Sequence, residues 1–430
     1  MSTAIAARKD VSRNGSTTAS PSPIAQKVSS LPLPTRIAFV GNYLPRQCGI
    51  ATFTTDLCNA LATEYGEGRL FAIPVNDPDS RYVYPEQVRL ELEQEDIASY
   101  ERAAEFLNFN GNDLVCVQHE YGIWGGDDGE FVLNFVHALT KPVVTTLHTV
   151  PQDPSGRQRA ILAGLIDASA ASVVMSQSAS RLLTRLYGIA PNLLDVVPHG
   201  VPSLPLIGPD TIKPSLGLEP GTVILSFGLL GPGKGYETVI EAMPSVVDAD
   251  PATRYVVLGA THPELLRREG EAYRTKLMRL ADTLGVSANV LFVDRFVTRT
   301  ELGTWLKAAD IFVTPYPNRD QIVSGTLAYA MSAGKAIVST PYPYAVEMLE
   351  AGRGRLVAAG SASEFAEVLV ELVRDPDARS QLGRRAYDFS RTMIWPEVGD
   401  RYARIFSRVG AAETRAVEPA ERAELRYGRP

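Results

Sequence analysis

A glycine-rich turn joins an apolar strand to a helix in the stretch Thr222-Val-Ile-Leu-Ser-Phe-Gly-Leu-Leu-Gly-Pro-Gly-Lys-Gly235. A second turn follows the apolar run 311–315, where the segment 324–326, Ser-Gly-Thr, opens another helix. The start of a helix presents unpaired backbone N–H groups and about half a positive charge, which together attract phosphate. Two such helix starts and the cation Lys234 in one half of the chain therefore predict a binding site for a diphosphate.

Length and composition indicate a two-domain α/β protein rather than a nucleic-acid binder. With 430 residues, of which 45% are hydrophobic, the chain can form two cores of ordinary size. Its formal net charge of −7 is unlike that of a general nucleic-acid binder, which carries a basic patch or stripe. The cysteines Cys48, Cys58 and Cys116 lack metal-ligand spacing, so no metal site is predicted. Such sparse cysteine fits a reducing compartment, and the predicted location is cytoplasmic.

Short apolar runs alternate with helical patterns twice along the chain, which indicates two sets of βαβ units. The first set predicts an N-terminal Rossmann-like domain over 35–202, and the second set predicts a C-terminal one over 215–391. A Pro- and Gly-rich stretch without periodicity, 203–214, predicts a linker between them. The predicted fold class is α/β, with two Rossmann-like, doubly wound domains facing a central cleft. Ligands of such sheets lie at the carboxyl ends of the strands, so the cleft is the expected site.

The two ends of the chain have a different composition from its middle. Residues 1–34 are mostly Ser, Thr, Ala and Pro with a few basic residues, which predicts a disordered tail. Over 392–409 the apolar residues fall on one helical face, so this segment predicts a helix whose face must dock elsewhere. The Ala-, Glu- and Arg-rich stretch 410–430 predicts a tail or a frayed helix.

The first turn also satisfies most of the phosphate-loop pattern of ATPases, through Gly228, Gly233 and Lys234. In that pattern a Ser or Thr follows the lysine and holds Mg²⁺ with its hydroxyl. Gly235 stands at this position, so the sequence argues against a metal-dependent nucleoside triphosphatase.

Further motifs follow predicted strands in both halves of the chain. They are Gly41–Phe53, Gln118-His-Glu-Tyr-Gly-Ile-Trp-Gly-Gly126, Thr145–Thr149, Val197–Gly200, and Ser324–Met331 with Gly334–Thr340. In this order and spacing the chain resembles the retaining glycosyltransferases of the GT-B fold, in the family-four group, over residues 36–409.

The resemblance implies transfer of a hexosyl unit from a nucleotide diphosphate sugar to a hydroxyl acceptor, with retention of anomeric configuration. It implies that the second domain binds the donor, that the first binds the acceptor, and that the final helix returns to the first domain. The nucleotide sugar is then a co-substrate, and no other cofactor and no nucleic acid are expected. A sugar, a polysaccharide and a lipid stay open as acceptors, and a lipid would add peripheral contact with the inner membrane face.

Two departures from the family's pattern concern the donor site. Many relatives carry two glutamates eight positions apart around the second turn, where this chain has Gln321 and Tyr329. Those relatives also carry an arginine in the first turn, where this chain has Leu229 or Leu230. The second glutamate of those relatives usually holds the donor's ribose. A nucleotide-sugar-binding protein that does not transfer therefore stays an alternative, as does a sugar-nucleotide epimerase on the same fold.

The candidate site residues lie in the glycine turns and after the predicted strands. Lys234 is expected to neutralise the leaving diphosphate, and by resemblance His148 would face the donor sugar or its phosphate. Trp124 is expected to stack on the face of an acceptor sugar. For each candidate, a structural role as a helix cap, tight turn or surface residue is the alternative. The donor-binding set is Gly228, Gly233, Gly259, His262, Arg295, Asp320, Gln321, Ser324, Gly325 and Thr326, and the acceptor-binding set is Gly49, Ile50, His119, Glu120 and Trp124.

Overall fold

The computed structural model describes residues 34, 36–78, 80–318 and 320–426. The predicted tail 1–34 therefore lies outside the described residues, apart from Pro34. Within the described chain, two parallel sheets, each accompanied by helices, confirm the α/β fold class of two Rossmann-like units.

Seven strands form the first sheet, in the order β3-β2-β1-β4-β5-β6-β7. Most of their residues are buried, because these apolar runs are covered on both faces, as is usual in parallel sheets. The strands are β1 (Ile37–Gly41), β2 (Leu70–Asn76), β3 (Leu92–Glu93), β4 (Leu114–His119), β5 (Val143–Leu147), β6 (Ala171–Val174) and β7 (Leu194–Val196), and the helices are α1 (Gly49–Tyr65), α2 (Ile97–Phe109), α3 (Phe131–Ala138), α4 (Gly156–Asp167) and α5 (Gln177–Tyr187).

Six strands form the second sheet, in the order β10-β9-β8-β11-β12-β13. The strand order reverses between β8 and β11, and such a switch point opens a crevice at the carboxyl ends of the strands. The strands are β8 (Val223–Phe227), β9 (Arg254–Leu258), β10 (Val290–Val293), β11 (Ile311–Thr314), β12 (Ala336–Ser339) and β13 (Arg355–Leu356), and the helices are α6 (Tyr236–Ala249), α7 (Pro263–Glu269), α8 (Ala272–Thr283), α9 (Arg299–Ala308), α10 (Gly325–Ser332), α11 (Pro343–Leu349), α12 (Ala362–Arg374) and α13 (Pro376–Ser390).

The last helix, α14 (Trp395–Arg426), packs on the first sheet although it follows the second one in the chain. Its apolar face includes Tyr402 and Phe406, which are fully buried, and the Tyr402 hydroxyl is hydrogen-bonded to Thr146 Oγ1 at 2.9 Å. The helix continues past the predicted end at 409, because the following Ala, Glu and Arg residues favour helix. Among the described helices, none combines the length and the apolar character that crossing a bilayer requires.

Hydrogen bonds also join the two sheet units at the start of α5. The carboxylate of Glu347, on α11, accepts hydrogen bonds from the backbone N–H groups of Gln177 at 2.9 Å and Ser178 at 2.7 Å. Ser176 Oγ donates to the carbonyl oxygen of Ile322 at 3.0 Å, and the Ile322 side chain packs into the core of the first unit. A carboxylate at a helix start is stabilised by the helix dipole, so Glu347 acts as a cap supplied by the other unit.

A close contact fixes the path by which the chain returns from the second unit to the first. The backbone N–H of Trp395 donates to the carbonyl oxygen of Val201 at 3.0 Å, so the return segment is hydrogen-bonded to the chain just before the predicted linker. A Cβ atom placed on Gly200 would lie only 2.3 Å from ring atoms of Trp395, whose side chain is buried. Only glycine leaves room for the indole at this point.

We therefore expect Gly200→Ala to destabilise the protein by about 2 kcal/mol, because overpacking against a rigid ring forces a shift of the backbone or the ring. Urea unfolding would show this as a lower midpoint. Gly208→Ala is the matched control, since a Cβ on this linker glycine meets no atom within 4 Å. Equal midpoints for the two variants would contradict the steric argument.

Candidate active site between the two domains

The two predicted phosphate-binding turns lie side by side, and one tyrosine contacts both. Tyr316 follows β11 and is buried. The Nζ atom of Lys234 lies 4.5 Å from the centre of the Tyr316 ring, and the Tyr316 hydroxyl is hydrogen-bonded to Thr326 Oγ1 at 2.9 Å. Lys234 forms no ion pair with any carboxylate in the described part of the chain, so its ammonium group is available to an anionic ligand.

Glycines keep the backbone around this pair open. Gly228 has a φ of 135°, and a Cβ on Gly259 would lie 2.0 Å from the Gly228 carbonyl oxygen, so the turns after β8 and β9 pack backbone to backbone. A Cβ on Gly233, next to Lys234, would meet no atom within 4 Å. The space beside Gly233 is therefore free for a ligand. Gly228 and Gly259 allow the two turns to pack closely against each other.

The start of α10 offers backbone amides rather than hydroxyl groups. Ser324 Oγ accepts a hydrogen bond from the Leu327 N–H at 3.3 Å and lies 3.1 Å from Thr326 Oγ1, so it is an N-cap. The N–H groups of Gly325 and Thr326 have no backbone partner among the described residues. These two amides are the donors that an anion at this helix start would use.

On the opposite side of the cleft, two histidines stand at the ends of β4 and β5. His148 Nε2 is hydrogen-bonded to Gln118 Oε1 at 2.9 Å, and its ring packs edge-on against Phe53 with the ring centres 4.8 Å apart. Burial, with smaller contributions from the neighbouring His199 and His119, lowers the pKa of His148 to about 3. His148 is therefore neutral at physiological pH and is not a cation for the diphosphate.

The structure contradicts the predicted acceptor contacts of His119 and Trp124. His119 is fully buried, with neither ring nitrogen hydrogen-bonded to any described residue, and burial lowers its pKa to about 3. Trp124 is 1% exposed, stacks on Phe135 and donates from Nε1 to the Gln118 carbonyl oxygen at 3.3 Å. Segment 121–129 folds back over β4 in two short 3-10 turns, so its aromatic rings fill the core and cannot stack on a sugar.

The other acceptor-binding candidates lie at the same edge of the first sheet. Glu120 Oε2 accepts a hydrogen bond from Thr149 Oγ1 at 2.5 Å. Burial raises the pKa of Glu120, and the bond from Thr149 opposes that shift. Gly49 and Ile50 begin α1, and their N–H groups have no backbone partner in the described chain.

Two donor-binding candidates have structural partners. His262 is exposed and caps α7, with Nδ1 accepting from the Glu264 N–H at 3.3 Å, although its own N–H donates to the first glycine turn. Arg295 is exposed, and its Nη1 lies 2.6 Å from Glu301 Oε1. Hydrogen bonds from Thr298 and Arg295 hold the pKa of Glu301 at about 2, so the ion pair persists across the physiological pH range.

The remaining two donor-binding candidates, Asp320 and Gln321, are neighbours in the loop before α10. Asp320 is exposed, and its backbone N–H donates to Asn318 Oδ1 at 2.9 Å. Gln321 uses its Nε2 to donate to the Val323 carbonyl oxygen at 2.8 Å. Gln321 therefore stabilises the loop in this conformation.

Tyr329, where relatives carry their second glutamate, instead contacts the first domain. Its hydroxyl donates to Asp56 Oδ2, on α1, at 3.0 Å. Arg299, at the start of α9, places Nη1 2.6 Å from Asp56 Oδ1 as an ion pair without hydrogen-bond geometry. Burial raises the pKa of Asp56 to about 6, against the opposing effects of Arg299 and Tyr329. The position that the resemblance assigns to the donor's ribose is thus occupied by a residue that makes an interdomain contact.

Three of these residues escaped the sequence analysis: Gln118, Tyr316 and Asp56. Tyr316 and Gln118 lie next to motifs that were recognised, after β11 and at the end of β4, where parallel strands place ligand-facing side chains. Their positions at the carboxyl ends of these strands could therefore have identified them as candidate site residues. Asp56 lies in the middle of an amphipathic helix, and no local pattern distinguishes it from a surface carboxylate.

We expect Asp56 to make the stability of the protein fall as the pH rises from about 4 to about 6. A carboxyl group whose pKa is raised on folding binds its proton more tightly in the native state, so deprotonation above its folded pKa destabilises that state. A shift from 3.8 to about 6 corresponds to roughly 3 kcal/mol.

The measurement is the difference between the unfolding free energies of the wild type and Asp56→Asn across this pH range. Subtraction removes the shared effect of the buried histidines, which acts in the opposite direction. A difference that does not change with pH would show that Asp56 titrates as it does in the unfolded chain.

Two family descriptions match adjoining parts of the chain. "Glycosyltransferase Family 4" matches residues 48–203, and "Glycosyl transferases group 1" matches residues 210–389. The junction falls in the predicted linker.

Curated proteins with similar sequences include a D-inositol 3-phosphate glycosyltransferase of Thermomonospora curvata. It is 29% identical over 250 residues, which cover 55% of this chain and 56% of that protein. A GDP-mannose-dependent monoacylated alpha-(1-6)-phosphatidylinositol monomannoside mannosyltransferase of Corynebacterium glutamicum is 29% identical over 190 residues, 43% of this chain and 46% of that protein. The similarity thus spans about half the length of these relatives.

Solved structures with the same fold include sucrose-phosphate synthase from Thermosynechococcus elongatus, with a TM-score of 0.72 and 15% identity over 88% of this chain and 100% of that one. HepE of Anabaena, in complex with UDP and glucose, has a TM-score of 0.68 and 16% identity over 87% of this chain and 100% of that one. These likenesses concern the fold. With two family matches, two parallel sheets and a shared cleft, the chain belongs to the glycosyltransferases of the GT-B fold, of the family-four type.

Proposed function

We propose that this protein transfers a hexosyl unit from a nucleotide diphosphate sugar to a hydroxyl acceptor, with retention of anomeric configuration. The observation that carries the proposal is the contact of Tyr316 with both glycine turns, which brings the ammonium group of Lys234 beside the start of α10. A cation and two backbone amides without backbone partners among the described residues, at Gly325 and Thr326, then lie on the two turns that Tyr316 joins. Two charged phosphates fit that combination of donors.

Charge develops on the leaving nucleotide diphosphate as its bond to the anomeric carbon breaks. A preorganised cation and amide dipoles stabilise this charge more than they stabilise the ground state, which lowers the barrier. In the proposed reaction the acceptor oxygen bonds to the anomeric carbon on the face from which the diphosphate departs. The acceptor's proton moves to the departing phosphate oxygen, so no basic side chain is required.

The state of the nearby carboxylates supports this front-face route over a covalent glycosyl-enzyme. A nucleophilic carboxylate must be free to approach the anomeric carbon. Asp56 is 2% exposed and bonded to Tyr329, and Glu120 is bonded to Thr149. Asp56 is thus held by a residue of the second domain, and Glu120 by a residue of its own domain.

The acceptor side favours an uncharged hydroxyl compound, such as a sugar. Arg46, in the turn between β1 and α1, donates to Asn42 Oδ1 at 2.9 Å and to the Val75 carbonyl oxygen at 3.0 Å, and it is ion-paired with Asp77. Its positive charge is therefore already neutralised. A phosphorylated acceptor would have to displace Asp77 to use this arginine.

A second candidate function is binding of a nucleotide sugar without transfer. The observation that favours it is the engagement of Gln321 with Val323 and of Tyr329 with Asp56, because each side chain already donates a hydrogen bond within the protein. A thermal-shift screen against nucleotide diphosphate sugars would first identify the donor, since a ligand of the folded state raises the apparent melting temperature.

The stabilising donor is then incubated with neutral and phosphorylated acceptors, and product is followed by NMR of the anomeric proton. A product with the donor's configuration supports the proposal, and an inverted product contradicts it. A donor that binds without transfer or hydrolysis across the panel would favour the binding protein.

We expect Lys234→Ala to lower turnover by about a hundredfold to a thousandfold, the usual effect of removing one preorganised group that stabilises transition-state charge. The melting temperature should change little, because Lys234 is partly exposed and forms no ion pair with a described carboxylate. Lys276→Ala is the control, as this lysine of the same domain is 67% exposed and pairs with Glu237. Equal turnover in the two variants would remove Lys234 from the mechanism.

A further inference from the structure

Gln118, at the end of β4, is held at every polar atom of its amide and at its backbone carbonyl. The residue is fully buried. Its Nε2 donates to Cys116 Sγ at 3.3 Å, and its carbonyl oxygen accepts from Trp124 Nε1 at 3.3 Å. A Cβ on Gly41 would lie 2.7 Å from the Gln118 Cβ, so this side chain occupies space that only glycine leaves. The side chain is therefore held in place, with Nε2 toward Cys116 and Oε1 toward His148.

That orientation determines which nitrogen of His148 carries the proton. Gln118 Oε1 lies 2.9 Å from His148 Nε2, and an amide oxygen only accepts hydrogen bonds. Nε2 must therefore be the protonated nitrogen. Because His148 is neutral, its Nδ1 carries a lone pair and acts as a hydrogen-bond acceptor.

The Nδ1 atom of His148 is the one that can still meet a ligand. It has no hydrogen-bond partner among the described residues, and it is not one of the enclosed, unpartnered polar atoms of the described chain. His119 is different, since both of its ring nitrogens are enclosed. Of these two neighbouring histidines, the one that contacts Gln118 therefore has the ring nitrogen that is not enclosed.

Ring contacts connect His148 to the proposed diphosphate site. The Phe53 ring packs edge-on against both His148 and His199, with ring centres 4.8 and 5.2 Å apart. His199 Nε2 would lie 2.9 Å from a Cβ on Gly325, so it contacts the start of α10 directly. His148 thus faces the region between the helix start and the first domain, where the transferred sugar would lie.

We propose that Gln118 is a positioning residue that holds His148 as the Nε2–H tautomer, so that Nδ1 accepts a hydrogen bond from a hydroxyl group of the transferred sugar. This inference rests on the proposed glycosyl transfer. It excludes a role for His148 as a hydrogen-bond donor to phosphate. The tautomer itself is a property of the protein without substrate and is measurable on its own.

The first measurement uses ¹⁵N-histidine-labelled protein without ligand, with the His148 signals assigned by loss in His148→Asn. Protonated and unprotonated ring nitrogens have well-separated ¹⁵N shifts, so the spectrum reports the tautomer directly. We expect protonated Nε2 and unprotonated Nδ1 in the wild type. A protonated Nδ1 would overturn the proposal whether or not the protein transfers sugar.

The second measurement compares Gln118→Met and Gln118→Glu with Gln94→Met as the matched control. Gln94 donates to the Gly122 carbonyl oxygen at 3.3 Å, in the loop that contains Trp124, but it contacts no histidine. Gln118→Met should lose the single tautomer and lower kcat about tenfold to a hundredfold, as loss of an orienting partner does elsewhere. Gln94→Met should change neither the tautomer nor kcat.

Gln118→Glu should restore the Nε2–H tautomer, because a carboxylate also only accepts hydrogen bonds. The nearby negative charge should raise the pKa of His148, and the acid limb of the kcat profile should move to higher pH. A merely structural role for Gln118 would leave that limb in place and would be the contrary result. If no donor supports turnover, the proposed function fails, while the tautomer spectra of the three variants still decide the role of Gln118.

Discussion

The contact between Lys234 and Tyr316 is the interaction on which the candidate site depends. The lysine is held over an aromatic face rather than against a carboxylate, so its charge is positioned without being neutralised. Tyr316 in turn is hydrogen-bonded to Thr326, which ties the lysine's position to the start of α10. An exposed, mobile lysine would lose conformational entropy on binding an anion, and this arrangement has already lost much of it in folding. The other residues of the cleft either shape this space or hold the second domain beside it.

The fold could be predicted from the sequence because its signals are local. Each strand is a short apolar run, and each glycine turn lies between a strand and a helix, so the parallel sheets follow from the alternation. The phosphate-facing turns could be predicted for the same reason, as Gly228, Gly233 and Lys234 adjoin one strand.

The first domain's side of the site could not be predicted as well, since it depends on burial. His119, Trp124 and Gln118 lie within seven positions of one another, and all of them follow or end a strand. The sequence offered no way to tell that the indole of Trp124 turns inward and contacts the backbone of Gln118. Asp56 and Tyr329 are 273 positions apart, and a contact of that range has no sequence pattern. A residue such as Asp56, which acts through a distant partner, therefore escaped sequence analysis.

Glu347 and Ile322 stabilise the observed arrangement of the two domains. The first turn of α5 has its N–H groups satisfied by a side chain from across the cleft, and Ile322 sits in a core that belongs to the other half of the chain. Separating the halves would leave that helix end to water and would bring an isoleucine into solvent, and both changes raise the free energy. The loss of the helix cap and the exposure of one apolar side chain thus oppose separation of the two domains.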